Sequence, residues 1–278
     1  MPETQESAGF RFLRESQGDE PWPWFSEHYE QAPAELLDFL GQDGITLEGR
    51  SVADVGCGDG IIDLGILAAG RPASLVGFDL QAPDLGSLRD EARKAGVLDG
   101  PLPSALEFRT CTPTTLPAAD AAFDVVVSWS TFEHVQRPVT VFREIRRVLR
   151  PDGFMFLQIW PLYHSQHGSH LWPWFPAGFA HLRHGSDEIA AALAEAHPDR
   201  PRDVEFVLEE YRELNRVTVD DLQRAILAAG MVITKFELMT GTVHVDRSLS
   251  RTALSDLGIS GIKLLAVPMP PRGSDPPD

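Results

Sequence analysis

The stretch Val52-Ala-Asp-Val-Gly-Cys-Gly-Asp-Gly60 constrains this chain more than any other part of it. A short apolar strand carrying an acid runs into glycines at 56, 58 and 60, and a helix opens at Ile61. Glycine lets the backbone turn sharply and lets a ligand come close to the main chain. The free N–H groups of the following helix, with their partial positive charge, favour an anionic group by about 0.3–1 kcal/mol. A plain strand–turn–helix joint can hold one or two glycines. Three alternating ones behind an acid point to a bound ligand.

The residues around the loop set its context. Strands are expected over 51–57, 74–80, 105–111, 123–130 and 153–160, with helices over 61–69, 85–95 and 139–149 between them. That alternation marks a doubly wound parallel sheet. Arg150-Pro-Asp-Gly153 reads as the turn that stops the third of these helices. A further helix over 219–229 and strands over 231–238 and 263–267 follow. Ahead of the sheet, Leu36, Leu37, Phe39 and Leu40 give a helical face that Gly41 ends.

Charge narrows the partners. The 278 residues carry 41 Asp and Glu against 24 Lys and Arg, a net charge of −17, and two cysteines. A surface so acidic is unsuited to nucleic acid or to an anionic membrane, which call for clustered Lys and Arg. Two cysteines suit a reducing compartment. The expectation is a cytoplasmic globular protein with no apolar run long enough to span a bilayer.

The loop does not follow the dinucleotide fingerprint, because Gly60 comes one residue early and Ile61 stands where the third glycine belongs. Its D-x-G-x-G-x-G spacing instead resembles motif I of the class I S-adenosylmethionine (SAM)-dependent methyltransferases. Val76-Gly-Phe-Asp-Leu80 is similar to their second motif. Leu116-Pro117 with Phe123-Asp-Val-Val-Val-Ser-Trp129 is similar to the fourth-strand segment, and Leu149-Arg-Pro-Asp-Gly-Phe154 to the turn before the fifth strand. The resemblance covers about residues 45–160.

It implies a doubly wound, mostly parallel seven-stranded α/β sheet with an antiparallel last strand. It also implies an N-terminal helical segment and an insertion after the fifth strand. In domain terms, residues 1–48 form an arm, helix and candidate lid, and 49–270 the methyltransferase domain with an acceptor-site insertion at 161–215. Residues 271–278 are a Pro-rich tail expected to be disordered. The resemblance places SAM against Asp54, Gly56, Cys57, Gly58, Gly60, Asp79, Leu80, Cys111, Thr112, Ser128 and Trp129. Asp79 would grip the ribose diol, accepting from two adjacent hydroxyls. Thr112 stands where the family often has an aspartate for the adenine amine.

The acceptor should face the residues that follow strands four and five. Those are Ser130-Thr-Phe-Glu-His-Val135 and Trp160-Pro-Leu-Tyr-His-Ser-Gln-His-Gly-Ser-His170. Glu133-His134 is similar to a pair that helps hold a divalent metal in some class I enzymes. Those sites usually add an acid where this chain has Ser130, so a metal is not favoured and His134 reads first as a packed histidine. His164, His167 and His170, three residues apart, would share one face of a helix or converge from a loop on a metal or a polar substrate. Together with His134 they are the candidate bases, His164 foremost. Trp22, Trp24, Phe25, His28 and Tyr29 form an aromatic cluster that either staples the leading helix to the sheet or covers the cofactor.

The function expected is methyl transfer from SAM to a small or medium-sized acceptor, a hydroxyl in preference to an amine. The setting would be specialised metabolism or sugar and cell-envelope modification. The competing readings are a SAM-binding scaffold without turnover and a dinucleotide-dependent oxidoreductase.

Overall fold

A computed structural model describes residues 21–270. The arm of residues 1–20, the tail 271–278 and the side chain of Trp22 lie outside the described residues. Seven strands form one sheet: β1 Ser51–Val55, β2 Ser74–Asp79, β3 Leu106–Thr110, β4 Phe123–Trp129, β5 Leu149–Ile159, β6 Met231–Thr240 and β7 Ile259–Pro268. Their order is β3-β2-β1-β4-β5-β7-β6. β7 runs antiparallel to both β5 and β6, and the pairs from β3 to β5 are parallel. The α/β sheet with an antiparallel last strand is therefore the one the motifs implied.

The strands are apolar on both faces because both faces are covered. Ala53, Val126, Met155 and Leu157 point into one core with Phe142, Ile145 and Val148 of α5 (Pro138–Val148) and with Leu222 and Ile226 of α9 (Val219–Ala228). Val52, Val125, Val127 and Phe156 point into the other, against Leu36, Phe39 and Leu40 of α2 (Ala32–Gly41) and Ile66 of α3 (Ile61–Gly70). Each such side chain contributes about 1.5–3 kcal/mol by leaving water. With both faces sealed, a ligand finds open backbone at the carboxyl ends of the strands.

Ahead of the sheet, α1 (Pro21–Ser26) runs through a π turn (Glu27–Gln31) into α2. Phe25 is buried against Ile61 and Leu64 of α3 and against Leu88 and Ala92 of α4 (Leu85–Lys94). A Cβ on Gly65 would stand 2.1 Å from the Tyr29 carbonyl, so a glycine is what lets the π turn lie on α3.

Two expectations need correction. β5 begins at Leu149, not Gly153: Phe123 pairs with Leu149 and Val125 with Phe154, so the intervening turn is a bulge within the strand. The insertion is also more regular than its histidines and prolines suggest. It holds α6 (Ala180–Arg183), α7 (Ser186–Ala196) and α8 (Pro201–Glu213), with a small core of Leu171, Ile189, Leu193, Val204 and Val207. α10 (Leu254–Gly258) precedes β7.

Candidate active site

The glycine loop joins β1 to α3. Gly56 has φ +85°, and a Cβ there would lie 2.2 Å from the Thr131 side chain. Thr131 donates its hydroxyl to the Gly56 carbonyl at 3.1 Å. Gly58 also has positive φ, yet a Cβ on it would meet no protein atom within 4 Å. One glycine is thus required by the protein and the next leaves open space. The Gly58 N–H donates to Asp79 Oδ2 at 2.9 Å, tying the loop to the tip of β2.

The rest of the expected cofactor contacts gather here in unequal ways. Leu80 is exposed beyond the tip of β2, and Cys111 and Thr112 follow β3, with Thr112 bridged to Thr115. Trp129 is half-buried and stacks on Phe156. The Ser128 hydroxyl is committed elsewhere, because the residue is fully buried and donates to the Val55 carbonyl at 2.7 Å. Asp54 is buried under the loop with Oδ1 unpartnered. Cys57 is buried too, and burial with the neighbouring acids pushes its thiol up.

Three contacts here had no counterpart in the motifs. Thr131 pins Gly56. Trp24 Nε1 donates to Asp59 Oδ2 at 3.1 Å, so α1 grips the loop directly. Asp63, in the first turn of α3, is completely buried beside Asp54. The one sequence signal for Asp63 was an acid on the apolar face of a helix.

The second half lies beyond β4 and β5. The His134 N–H bonds the Thr131 carbonyl at 2.9 Å, so this turn begins at the residue that holds Gly56. Glu133 is buried with Oε2 unpartnered, and burial raises its carboxyl to about 8. Asn215, where the insertion returns, donates its backbone N–H to the Glu133 carbonyl at 2.7 Å and its side-chain amide to the Val135 carbonyl at 2.8 Å.

Residues 161–179 form successive tight turns, so the three spaced histidines do not share a face. His170, at φ +59°, turns to His134 with ring centroids 5.5 Å apart. Ligand atoms of Glu133, His134 and His170 all lie within 4.8 Å of one another. Burial lowers His134 to about 4 and His170 to about 3, so both are neutral imidazoles. His167 instead packs against Trp160 and Trp172. His164 meets Tyr163 edge-to-face and lines a cavity of about 440 Å³ with Leu162, Thr218, Asp220, Phe236 and Asp256. Ser130 donates to Gln158 Oε1 at 2.8 Å and to the Trp160 carbonyl at 3.0 Å, and so is engaged within the scaffold.

The strand order, the antiparallel seventh strand and an acid-bearing glycine loop at the carboxyl ends define a class I methyltransferase architecture. Residues 53–157 match the family described as a methyltransferase domain. Among curated relatives, ubiquinone biosynthesis O-methyltransferase from Actinobacillus pleuropneumoniae is 31% identical over 120 residues, covering 43% of this chain and 50% of that protein. The protein of the same name from Pseudomonas paraeruginosa is 34% identical over 139 residues, 48% of this chain and 56% of that one. The chain spans about half the length of these relatives. A putative sarcosine dimethylglycine methyltransferase from Galdieria sulphuraria shares the fold with a TM-score of 0.56 at 13% identity, covering 93% of this chain and 97% of that one. None of the described helices is long and apolar enough to cross a membrane.

Proposed function

We propose that this chain binds SAM at the tips of β1 and β2 and transfers its methyl group to a hydroxyl of a small or medium-sized acceptor. The observation that carries this reading is the meeting of the two halves at Thr131. Its hydroxyl holds the glycine loop, and its carbonyl anchors the turn bearing Glu133 and His134. The loop side is rich in acids, which suits the cationic amine and sulfonium of SAM, and Asp79 suits the ribose diol. In the transfer the S–CH₃ bond breaks, an O–CH₃ bond forms, and the hydroxyl proton passes to a base. The products are a neutral thioether and a methyl ether. A hydroxyl acceptor is also what the relatives' names describe.

The base candidates remain His134, His164, His167 and His170. Among them His164 lines a cavity large enough for part of a small acceptor. The insertion at 161–215 would give that acceptor its own pocket, as in specialised metabolism or sugar and cell-envelope modification.

A second reading is favoured by one observation, the convergence of His170 on Glu133 and His134. Neutral imidazoles and a buried, unpartnered carboxyl suit a divalent cation better than they suit proton transfer, because an imidazole lowered so far is a weak base. His170 takes the place in the ligand set that Ser130 leaves unfilled. A bound ion would hold the acceptor oxygen and acidify its proton.

The test is a labelled-methyl assay with SAM over phenols, catechols, sugar alcohols and amines, run beside SAM calorimetry. Turnover of hydroxyl acceptors is expected. Turnover of amines alone would overturn the hydroxyl assignment, and absent SAM binding would overturn the cofactor site.

A further inference from the structure

Beneath the glycine loop lies a group that the reaction above leaves unused. Asp63 is completely buried in the first turn of α3, and neither of its carboxyl oxygens meets a donor from the described residues. Its Oδ2 stands 2.9 Å from where a Cβ on Gly77 of β2 would be, so the absence of a side chain there makes room for it. On its other side it meets Asp54 of β1, equally buried and also short of a donor at Oδ1. Asp59 of the loop and Asp79 of β2 add negative charge around Asp63, and Cys57 is the remaining titratable neighbour. No Lys, Arg or His among the described residues acts on either carboxyl.

Two carboxylates in contact, away from water and without a cation, cannot both stay ionised. The pair shares a proton, and burial with mutual repulsion holds both carboxyls above their ordinary range. The two sites differ. Asp54 receives a backbone N–H from Val55, which favours its anion. Asp63 has no such donor and the charges of Asp54, Asp59 and Asp79 around it. The proton therefore belongs on Asp63. A protonated carboxyl has one O–H to donate, and a carboxylate has about four acceptor sites, enough for that donor and a ligand together.

We infer that Asp63, held neutral, is a positioning residue: its O–H donates to Asp54 and fixes Asp54 as an anion beneath the glycine loop, where it takes the ammonium group of SAM. The inference rests on the SAM reading above and deepens it. Asp63 touches no part of the cofactor and acts through Asp54 alone.

The test is calorimetric titration of SAM into the full chain between pH 5.5 and 8.5, with wild type, Asp63→Asn and Asp63→Ala. An amide N–H replaces the O–H in the Asn variant, which should bind SAM within about threefold of wild type. The Ala variant lacks the donor, so Asp54 takes up a proton more readily. At pH 7 its affinity should fall by about tenfold, the loss of one charge-assisted hydrogen bond. That loss should shrink as the pH rises and Asp54 ionises. Should the Ala variant fail to fold, Asp63→Leu fills the space without a donor and is expected to behave in the same way.

Equal affinity and one pH profile for all three proteins would make Asp63 a packing residue and overturn the inference. Equal loss in the Asn and donor-free variants at every pH would do the same. Wild type serves as the control: if it binds no SAM at any pH, the cofactor reading falls and the inference with it.

Discussion

The two halves of the site hold titratable groups of opposite chemistry. Around the glycine loop the groups are acids, with Asp54 and Asp63 buried and Asp79 half-buried. Beyond β4 and β5 they are histidines around one carboxyl, with His134 and His170 neutral. Each side lacks what a bound partner would bring: a positive charge on one, a proton donor or a metal ion on the other. The halves also differ in how the chain builds them. The first is one continuous loop plus the end of a neighbouring strand. The second is assembled from the turn after β4, the turns after β5, and Asn215 at the far end of the insertion.

The largest expected effects separate the glycines. Gly56→Val should abolish SAM binding and lower the melting temperature, because the new side chain would collide with Thr131. Gly58→Val meets no protein atom, so it should fold with a penalty of about 1–2 kcal/mol for its left-handed backbone and still fail to bind. Calorimetry and thermal melting together check both. A Gly58 variant that binds SAM normally would move the cofactor away from the open side of the loop.

Next comes Asp79. Replacing it with Ala should weaken SAM by about 2–4 kcal/mol, as two charge-assisted bonds to the ribose disappear. Part of that loss belongs to the Gly58 N–H, which Asp79 also holds. Unchanged affinity would remove Asp79 from the site.

The acceptor half is tested by pairing two variants with a chelator. If His164 is the base, His164→Ala should slow turnover by about 10²–10⁴-fold with SAM affinity unchanged. If Glu133, His134 and His170 hold a metal, chelator should remove activity and a single added divalent ion restore it, and His170→Ala should no longer respond to that ion. Full activity in excess chelator, with His170→Ala active, would return these residues to a packing role.

The same contrast explains what the sequence could disclose. A loop is legible when its chemistry is contiguous, and the segment from Val52 to Gly60 carries strand, turn and helix N-cap within nine residues. Asp79 was legible because it closes an apolar strand. The meeting of His170 with Glu133 was not, since it depends on a path of tight turns that no period describes. The helix α8 does carry a sequence signal: Pro201 sits in its first turn, and Val204, Val207 and Leu208 recur at helical spacing. Histidines and prolines nearby obscured that pattern. Asp63 was lost for another reason, because an acid in the first turn of a helix is ordinarily a solvated partner of the helix dipole. Its burial depends on Gly77, a residue of another strand.

The smallest expected effect concerns the link between the N-terminal segment and the loop. The Trp24 indole stacks on His28 with ring centroids 3.9 Å apart, and its N–H reaches Asp59. Trp24→Phe keeps an aromatic ring and removes that bond. A neutral donor bonded to a carboxylate contributes about 1–2 kcal/mol, and partial exposure reduces it. If α1 is a structural staple, the melting temperature should fall slightly and by the same amount with or without SAM. If it covers the cofactor, apo stability should hold while SAM dissociates about 3–10-fold faster, a change of roughly 1 kcal/mol read by stopped-flow. The buried Phe25 beside it favours the first outcome for the helix as a whole. The bond from Trp24 to Asp59 favours the second for this one side chain, because Asp59 also accepts from the Ile61 N–H at 3.1 Å and so shapes the start of α3. A variant that moves neither quantity would separate the Trp24 side chain from the cofactor half.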